Sequence, residues 1–261
     1  MTDREQLLAL YLACFPEDDP QFWNWVFEHL YVPENTLNVR ENGRIVASLQ
    51  MIPCKMRLKD RLFEAHYIYA ASTLPEKQGQ GLMAGLLAQA AEEGCRRGHA
   101  FSVLITQEDS LLNYYARFGY KPAFCIGMGV PETSAVNGLV RMASPTDIPV
   151  LSHIYEVAAQ GFLHGAREEA YWLLQLELFG QGALVMEREG RVSAYAFADE
   201  RGVIEAAGPD AGALASRIQP GKPWRTLPTE NGHPMGSIKP LQTDAAKIME
   251  QNPCYLNLMY N

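Results

Sequence analysis

Two glycines one residue apart precede an apolar helical pattern in the segment "STLPEKQGQGLMAGLLAQAAEEGCRRG", residues 72–98. The N-terminus of a helix presents unpaired N–H groups and a partial positive charge, which together bind anions. Gly79 and Gly81 carry no side chain that would keep a ligand away from the backbone. The segment therefore predicts a phosphate-binding turn. The predicted donors are the backbone amides of Gln78, Gly79, Gln80, Gly81, Leu82 and Met83.

Three classes of phosphate ligand compete for this turn. A nucleoside triphosphate loop needs G-x-x-x-x-G-K-[ST], but Gly79 to Gly85 is one residue too long and no lysine follows. A dinucleotide loop fits better, because "GQGLMA" matches G-x-G-x-x-[GA]. In that motif, however, the first glycine follows its strand almost directly, whereas "LPEKQ" intervenes here. The third class is the pyrophosphate of coenzyme A.

The elements around the turn indicate a mixed α/β fold built on one sheet. Residues 5–30 have helical spacing, and "TLNVRE" and "RIVASLQMI" flank an Asn-Gly turn that favours a hairpin. The run "FEAHYIYAAST" is predicted to be a central strand. A helix over residues 82–97, the strand "AFSVLIT", a short helix over 110–118 and the strand "GYKPAFCIGMGV" follow.

The second half of the chain repeats this order of elements. A shift of 147 residues places "RENGRIVA" over "EREGRVSA". It superposes Trp25 on Trp172, Gly43 on Gly190, Arg44 on Arg191 and Ala47 on Ala194. We therefore predict domains over residues 1–130 and 139–261, with a linker over 131–138. The closely spaced glycine pair occurs only in the first domain, which predicts one active site per chain.

Two blocks of sequence resemble the GNAT acyltransferases. "TLPEKQGQGLMAGLL" resembles their [QR]-x-x-G-x-[GA] motif, with Gln78 and Gly81 at matching positions and Met83 where glycine or alanine is usual. "NYYARFGYKPA" is similar to their Y-x-x-x-G-[FY] segment. "YARFGY" resembles the enhanced-intracellular-survival (Eis) type, in which a degenerate second GNAT domain follows the first. The third, sterol-carrier-like domain of that type has no room here after about residue 225.

The resemblance implies transfer of the acetyl group of acetyl-CoA to a primary amine of a small molecule or peptide. It implies that backbone groups of Ser72, Thr73 and Leu74 hold the pantetheine arm. Tyr115 occupies the position of the tyrosine that acts as general acid in the family. Ordinary aromatic packing is the alternative for this residue.

The general base is left open by the sequence. Glu64 and His66 share one face of the predicted central strand, and His66 has an ordinary pKa near neutrality. The resemblance to the Eis type suggests the C-terminal carboxylate, here that of Asn261. A chain of water molecules without a dedicated base is a further alternative.

Composition limits the partners. The formal net charge of -8 argues against nucleic acid and is compatible with a cationic amine, as is the acidic run Glu17 to Asp19. Five scattered cysteines and isolated histidines indicate no metal site.

No apolar run is long enough for a membrane span, so we expect a cytoplasmic protein, which could form a homo-oligomer. Two rival functions remain: a non-catalytic acyl-CoA sensor and a dinucleotide-binding oxidoreductase.

Overall fold

The computed structural model describes residues 1–106, 108–130, 137–227 and 232–258. The predicted linker falls mostly outside these residues, and so does Asn261. The helices are α1 (Asp3–Cys14), α2 (Pro20–His29), α3 (Leu82–Arg96), α4 (Asp109–Ala116), α5 (Ile148–Ala158), α6 (Glu169–Phe179), α7 (Ala211–Ile218) and α8 (Thr243–Gln251). Within the described residues, no helix is long and apolar enough to cross a membrane.

The strands follow the order expected for the first half of the chain and add several short ones in the second. They are β1 (Thr36–Glu41), β2 (Arg44–Leu58), β3 (Arg61–Thr73), β4 (Phe101–Ile105), β5 (Lys121–Gly129), β6 (Leu139–Met142), β7 (Leu163–Gly165), β8 (Ala183–Arg188), β9 (Arg191–Asp199), β10 (Gly202–Ala207), β11 (Trp224–Thr226), β12 (His233–Pro240) and β13 (Cys254–Tyr255). The predicted mixed α/β class is confirmed.

The chain divides into two units made of alternating segments. Unit 1 comprises Met1–Met56, Leu62–Pro122 and Gly236–Gln251, and unit 2 comprises the remainder. This division differs from the predicted domains, because Gly236–Gln251 was expected to belong to the second one. The physical reason is pairing: the end of β12 forms an antiparallel ladder with β4, from Gly236–Ile105 to Pro240–Phe101.

Local sequence explains the start of unit 1. Thr2 and Glu5 form reciprocal capping hydrogen bonds at the N-terminus of α1. The Asp19 carboxylate caps α2, whose first residue is a proline. The two helices pack through Tyr11 and Trp23, whose ring centroids are 4.6 Å apart. Trp23 is almost fully buried, so it belongs to the core.

The sheet of unit 1 is mixed. β1 and β2 are antiparallel and joined by the predicted Asn42–Gly43 turn, in which both residues have positive φ (50° and 79°). β3 and β4 are parallel and connected by α3. The apolar face of α3 covers the sheet through Leu86, Leu87 and Ala90.

Unit 2 repeats much of this order. Two helices, α5 and α6, precede three consecutive strands, β8 to β10, after which α7 connects β10 to the parallel strand β11. The hairpin turns also correspond, since Glu189 and Gly190 have φ values of 51° and 74°. α7 has eight residues, whereas α3 has fifteen. The helical crossover of unit 2 is therefore a shortened counterpart of that in unit 1.

A buried ion pair stabilises the core of unit 2. The Arg167 guanidinium donates two hydrogen bonds to the Glu205 carboxylate, at 2.6 and 2.7 Å, and both side chains are inaccessible to solvent. The hydroxyl groups of Tyr195 and Tyr255 also donate to Glu205, at 2.8 and 2.7 Å. Arg167 donates further to the Asn257 carbonyl at 2.9 Å, which fixes the C-terminal segment. Both charges are thus compensated, as burial requires.

Removing one charge of this pair should strongly destabilise unit 2. We expect Glu205→Gln to lower the free energy of unfolding by about 3 kcal/mol, because it leaves the Arg167 charge buried without its partner. Glu187→Gln is the matched control: Glu187 is partly exposed and its partner Arg141 retains Asp147, so we expect a loss below about 1 kcal/mol. Urea denaturation measures both. Equal losses in the two variants would contradict this account of the core.

Candidate active site

The predicted phosphate turn lies between β3 and α3. After β3, the short 3-10 helix Pro75–Lys77 leads to Gly79 and Gly81, whose φ values are 75° and 79°. This left-handed conformation favours glycine. No heavy atom lies within 4 Å of the position that a Cβ would occupy at either residue. The protein therefore leaves the space beside both glycines open to a ligand.

The amides of this turn have no acceptor within the described part of the chain. The N–H groups of residues 79–83 make no hydrogen bond there. α3 begins at Leu82 without a side-chain cap and without an acidic residue in its first turn. The positive end of a fifteen-residue helix thus remains uncompensated by the protein, as an anion site requires.

The side chains of the two glutamines in the turn donate hydrogen bonds to nearby backbone carbonyls. Gln78 Nε2 donates to the Thr73 carbonyl at 3.2 Å, and Gln80 Nε2 donates to the Glu76 carbonyl at 3.4 Å. Both side chains therefore hold the turn against the end of β3. The backbone N–H groups of Gly79, Gln80 and Gly81 remain available to a ligand. The Gln78 N–H does not, because it donates to the Pro75 carbonyl at 3.3 Å.

A cavity of about 620 Å³ opens beside the turn, within the range typical of ligand sites. Its walls come from the end of β3, the start of α3 and the helix α4. The residues that line it include Ala71, Thr73, Lys77, Gly79, Gly81 and Tyr115. Six of the nine predicted cofactor residues therefore line one cavity together with Tyr115, namely Thr73, Gln78, Gly79, Gly81, Leu82 and Met83.

Tyr115 reaches the cavity as a protonated phenol. Burial, reinforced by the neighbouring Tyr114, raises the pKa of Tyr115 to about 12. Its ring also lies at 6.0 Å from that of Tyr120, in an edge-on arrangement. At neutral pH the hydroxyl therefore keeps its proton and is a hydrogen-bond donor.

Two cations accompany the amides. Lys77 and Arg117 both line the cavity. Lys77 is paired with Glu41, and the Arg117 guanidinium lies over the Tyr114 ring at 4.7 Å from its centroid. Sequence reasoning did not select either residue, although both stand inside the quoted segments "LPEKQ" and "YYARFGY". Their positive charge could have identified them, because cations beside a helix N-terminus suit a ligand with several negative charges.

The ladder between β3 and β4 is short. It runs from Ala65–Phe101 to Tyr67–Val103 within the described residues, whereas β3 continues to Thr73. Of the three residues predicted to hold a ligand with their backbone, Leu74 already donates its N–H to the Val46 carbonyl at 2.9 Å. The Thr73 carbonyl already accepts a hydrogen bond from Gln78 Nε2. Ser72 is buried, with its hydroxyl donating to the Ala70 carbonyl at 2.9 Å.

Neither of the two base candidates lines the cavity. His66 is fully buried against the Gly94 turn of α3, and its Nδ1 lies 2.9 Å from Nδ1 of His99. Burial, followed by His99 and Arg97, lowers the pKa of His66 to about 3. Seven residues of strand separate His66 from Thr73, which corresponds to about 23 Å. Glu64 is exposed and lies about 7 Å farther along the same strand.

Part of the chain matches a known protein family. Residues 1–123 match the family model of the acetyltransferase (GNAT) domain. The matched residues contain the turn, the cavity and Tyr115. Comparison with curated proteins gives no significant match.

The similarity to solved structures extends beyond residues 1–123. A conserved protein of unknown function from Enterococcus faecalis V583, described as a probable N-acyltransferase, has a TM-score of 0.68 at 12% identity over 93% of this chain and 71% of its own. Eis1 from Mycobacterium abscessus has a TM-score of 0.63 at 14% identity over 95% and 75%. A GCN5-related N-acetyltransferase from Kribbella flavida has a TM-score of 0.65 at 15% identity over 93% and 70%. The chain therefore shares the fold of these proteins.

The two glycines at either end of the first turn of α3 should respond oppositely to alanine. We expect Gly81→Ala to lower the free energy of unfolding by about 1–2 kcal/mol, because an L residue is strained at φ 79°. Gly85 lies inside α3 with open space around it, so Gly85→Ala should raise the free energy of unfolding by about 0.5–1 kcal/mol. Urea denaturation compares them. Stabilisation by Gly81→Ala would show that the left-handed turn is not formed.

Proposed function

We propose that the protein is an N-acetyltransferase that transfers the acetyl group of acetyl-CoA to a primary amine of a small molecule or peptide. One observation carries the proposal: a single cavity joins the uncompensated amides at the start of α3 to the protonated hydroxyl of Tyr115. An anion site alone would suit any phosphate. A partly buried proton donor beside it suits a phosphorylated substrate whose leaving group must gain a proton.

The residues present fit the shape and charge of acetyl-CoA. The amides of residues 79–83 suit its pyrophosphate, and Lys77 and Arg117 add positive charge at the same cavity. The ladder with β4 ends at Tyr67, which leaves the β4 side of the end of β3 to the pantetheine arm, although the Leu74 N–H and the Thr73 carbonyl already have partners within the protein. When bound, acetyl-CoA supplies an acetyl group activated as a thioester. The protein then contributes mainly orientation and proximity.

Tyr115 serves as the donor to the departing sulfur in this proposal. Its pKa lies well above neutral pH, so the hydroxyl is in the donor form when the acyl group leaves. Burial also strengthens a hydrogen bond to a developing negative charge. We assign no catalytic role to Glu64 or His66, because neither lines the cavity and the His66 imidazole is buried beside His99. Loss of the amine proton to water requires no side chain.

The second unit supports a tandem arrangement with one active site. Its helical crossover resembles that of unit 1, and the similarity to the N-acyltransferase structures covers more than nine tenths of the chain. Asp210 stands at the N-terminus of α7 and pairs with Arg188 at 2.9 Å. A Cβ at Gly208 would lie 2.3 Å from the Ser193 carbonyl oxygen. An acidic residue and a filled turn thus stand where unit 1 has open amides.

The acceptor is proposed to be an amine, with a preference for cationic molecules. The formal net charge of -8 favours their approach over that of anions. Within the acidic run, Glu17 and Asp19 are both exposed, and Asp19 also caps α2. A non-catalytic acyl-CoA sensor is the second candidate, since the amides of residues 79–83 alone suffice for binding.

A thiol-release assay separates the enzyme from the sensor. The protein is incubated with acetyl-CoA and a panel of monoamines, aminoglycoside-like polyamines and peptides, and free coenzyme A thiol is measured. The proposal predicts amine-dependent thiol release for at least one class. Binding of acetyl-CoA without release for any amine would support the sensor.

Replacement of the proton donor should affect turnover rather than binding. We expect Tyr115→Phe to lower kcat by about 10²-fold or more while the Kd for acetyl-CoA changes little, because only the hydroxyl is removed. Tyr31→Phe is the matched control, since Tyr31 lies outside the cavity. Steady-state kinetics and calorimetry provide the two readouts. An unchanged kcat in Tyr115→Phe would exclude the assigned role.

A further inference from the structure

The alternation of side chains along β3 shifts by one residue at Ala70. Ile68 belongs to the apolar cluster under α3, and Ala71 packs against the same cluster. The Tyr69 ring packs against that of Trp23 in α2, and the Ser72 side chain contacts Cys14 in α1. A regular strand would place Ile68 and Ala71 on opposite faces, because its side chains alternate with a period of two. Ala70 is therefore the extra residue of a bulge.

The bulge requires a strained backbone at Ala70. Its φ is +48°, in the left-handed region that residues with a Cβ rarely occupy. Such conformations persist only where surrounding contacts hold them, and they are frequent at functional sites. Here the contact is local: Ser72, 2% exposed, donates its hydroxyl hydrogen bond to the Ala70 carbonyl at 2.9 Å.

A cysteine of α1 supports the same segment. Cys14 Sγ donates to the Thr73 carbonyl at 3.3 Å. Burial raises the pKa of the Cys14 thiol, and hydrogen bonds to Thr73 and Ser72 oppose that rise. Ser72 is thus held between the carbonyl of Ala70 and the end of α1.

The position of the bulge connects it to the cavity. It lies beyond the last pair of the β3–β4 ladder, and Ala71 and Thr73, which follow it, line the cavity. Without the extra residue, a slip of one position would turn both side chains to the opposite face of the sheet. The backbone of residues 70–72 would turn with them.

We propose that the Ser72 side chain is a positioning residue for acyl transfer, because its hydroxyl holds the bulge that aims residues 71–73 at the cavity. The inference rests on the proposed function and adds a role that the backbone of Ser72 does not supply. Ser72 acts through Ala70, so glycine at position 70, which adopts positive φ without strain, should make its hydroxyl dispensable.

The test is a double-mutant cycle of wild type, Ser72→Ala, Ala70→Gly and the double variant. We measure kcat for amine-dependent thiol release, the Kd for coenzyme A, and the Tm without ligand. Ser72→Ala should lower kcat at least tenfold with a Kd within about threefold of wild type. Ala70→Gly should raise Tm by about 2 °C through relief of strain. The double variant should recover kcat to within about threefold of Ala70→Gly.

Ser237→Ala is the matched control, because Ser237 is also fully buried in unit 1 and its hydroxyl has no hydrogen-bond partner in the described structure. It should retain wild-type kcat. The inference is overturned if Ser72→Ala keeps wild-type kcat, or if the double variant loses as much as Ser72→Ala alone. If Ser72→Ala does not fold, the comparison of Ala70→Gly with the double variant decides, since a further tenfold loss of kcat there contradicts the inference.

Failure of the proposed function has a separate signature. If wild type releases no thiol with any amine, the enzyme assignment fails. The Tm values of the four proteins still test the structural part of the inference. If Ser72→Ala lowers Tm as much in the Ala70→Gly background as in wild type, the hydroxyl does not support the strained Ala70 backbone.

Discussion

The candidate site depends on the N–H groups at the start of α3, which have no acceptor among the described residues. A helix end of this kind is ordinarily satisfied by a side-chain cap or by water. Here two left-handed glycines, Gly79 and Gly81, replace the cap and leave open space beside the backbone. The crossover from β3 through α3 to β4 then aims these donors at the same cavity as Tyr115.

The two units differ at the N-terminus of their crossover helices. Unit 1 has a long crossover helix whose N-terminus is open. Unit 2 has a short one, with Asp210 at its start and with Gly208 packed against the backbone of β9. Its polar chemistry lies instead in the core, where Arg167 and Glu205 compensate each other. This arrangement compensates both buried charges and fixes the segment at Asn257.

Much of the fold and part of the site followed from the sequence. The helices and strands of the first half have clear periodicity, and the structure confirms them, as it does the Asn42–Gly43 turn. The short strands β7, β11 and β13 have two or three residues each, too few for a period to emerge. β12 contains Gly236 and two prolines, so its pairing with β4 depends on tertiary structure.

Within the site, the turn and Tyr115 were selected because motif residues are close in sequence. The base candidates were selected from side-chain type on a strand, and type alone does not tell how far along the strand a residue lies from the ligand. The bulge at Ala70 escaped prediction for a related reason: "YIYAAST" has the pattern of a regular strand, and its strained residue is an alanine rather than a glycine. Its partner Ser72 is two residues away but acts through a buried contact.

The central claim, that the turn before α3 binds the pyrophosphate of an acyl-CoA, is tested most directly by calorimetric titration of the whole chain. Acetyl-CoA should bind with a stoichiometry of one, NADH should show no binding at the same concentrations, and Gly81→Ala should weaken acetyl-CoA binding at least tenfold while Gly85→Ala does not. Binding of NADH in place of acetyl-CoA, or acetyl-CoA binding that is indifferent to Gly81→Ala, would contradict the account.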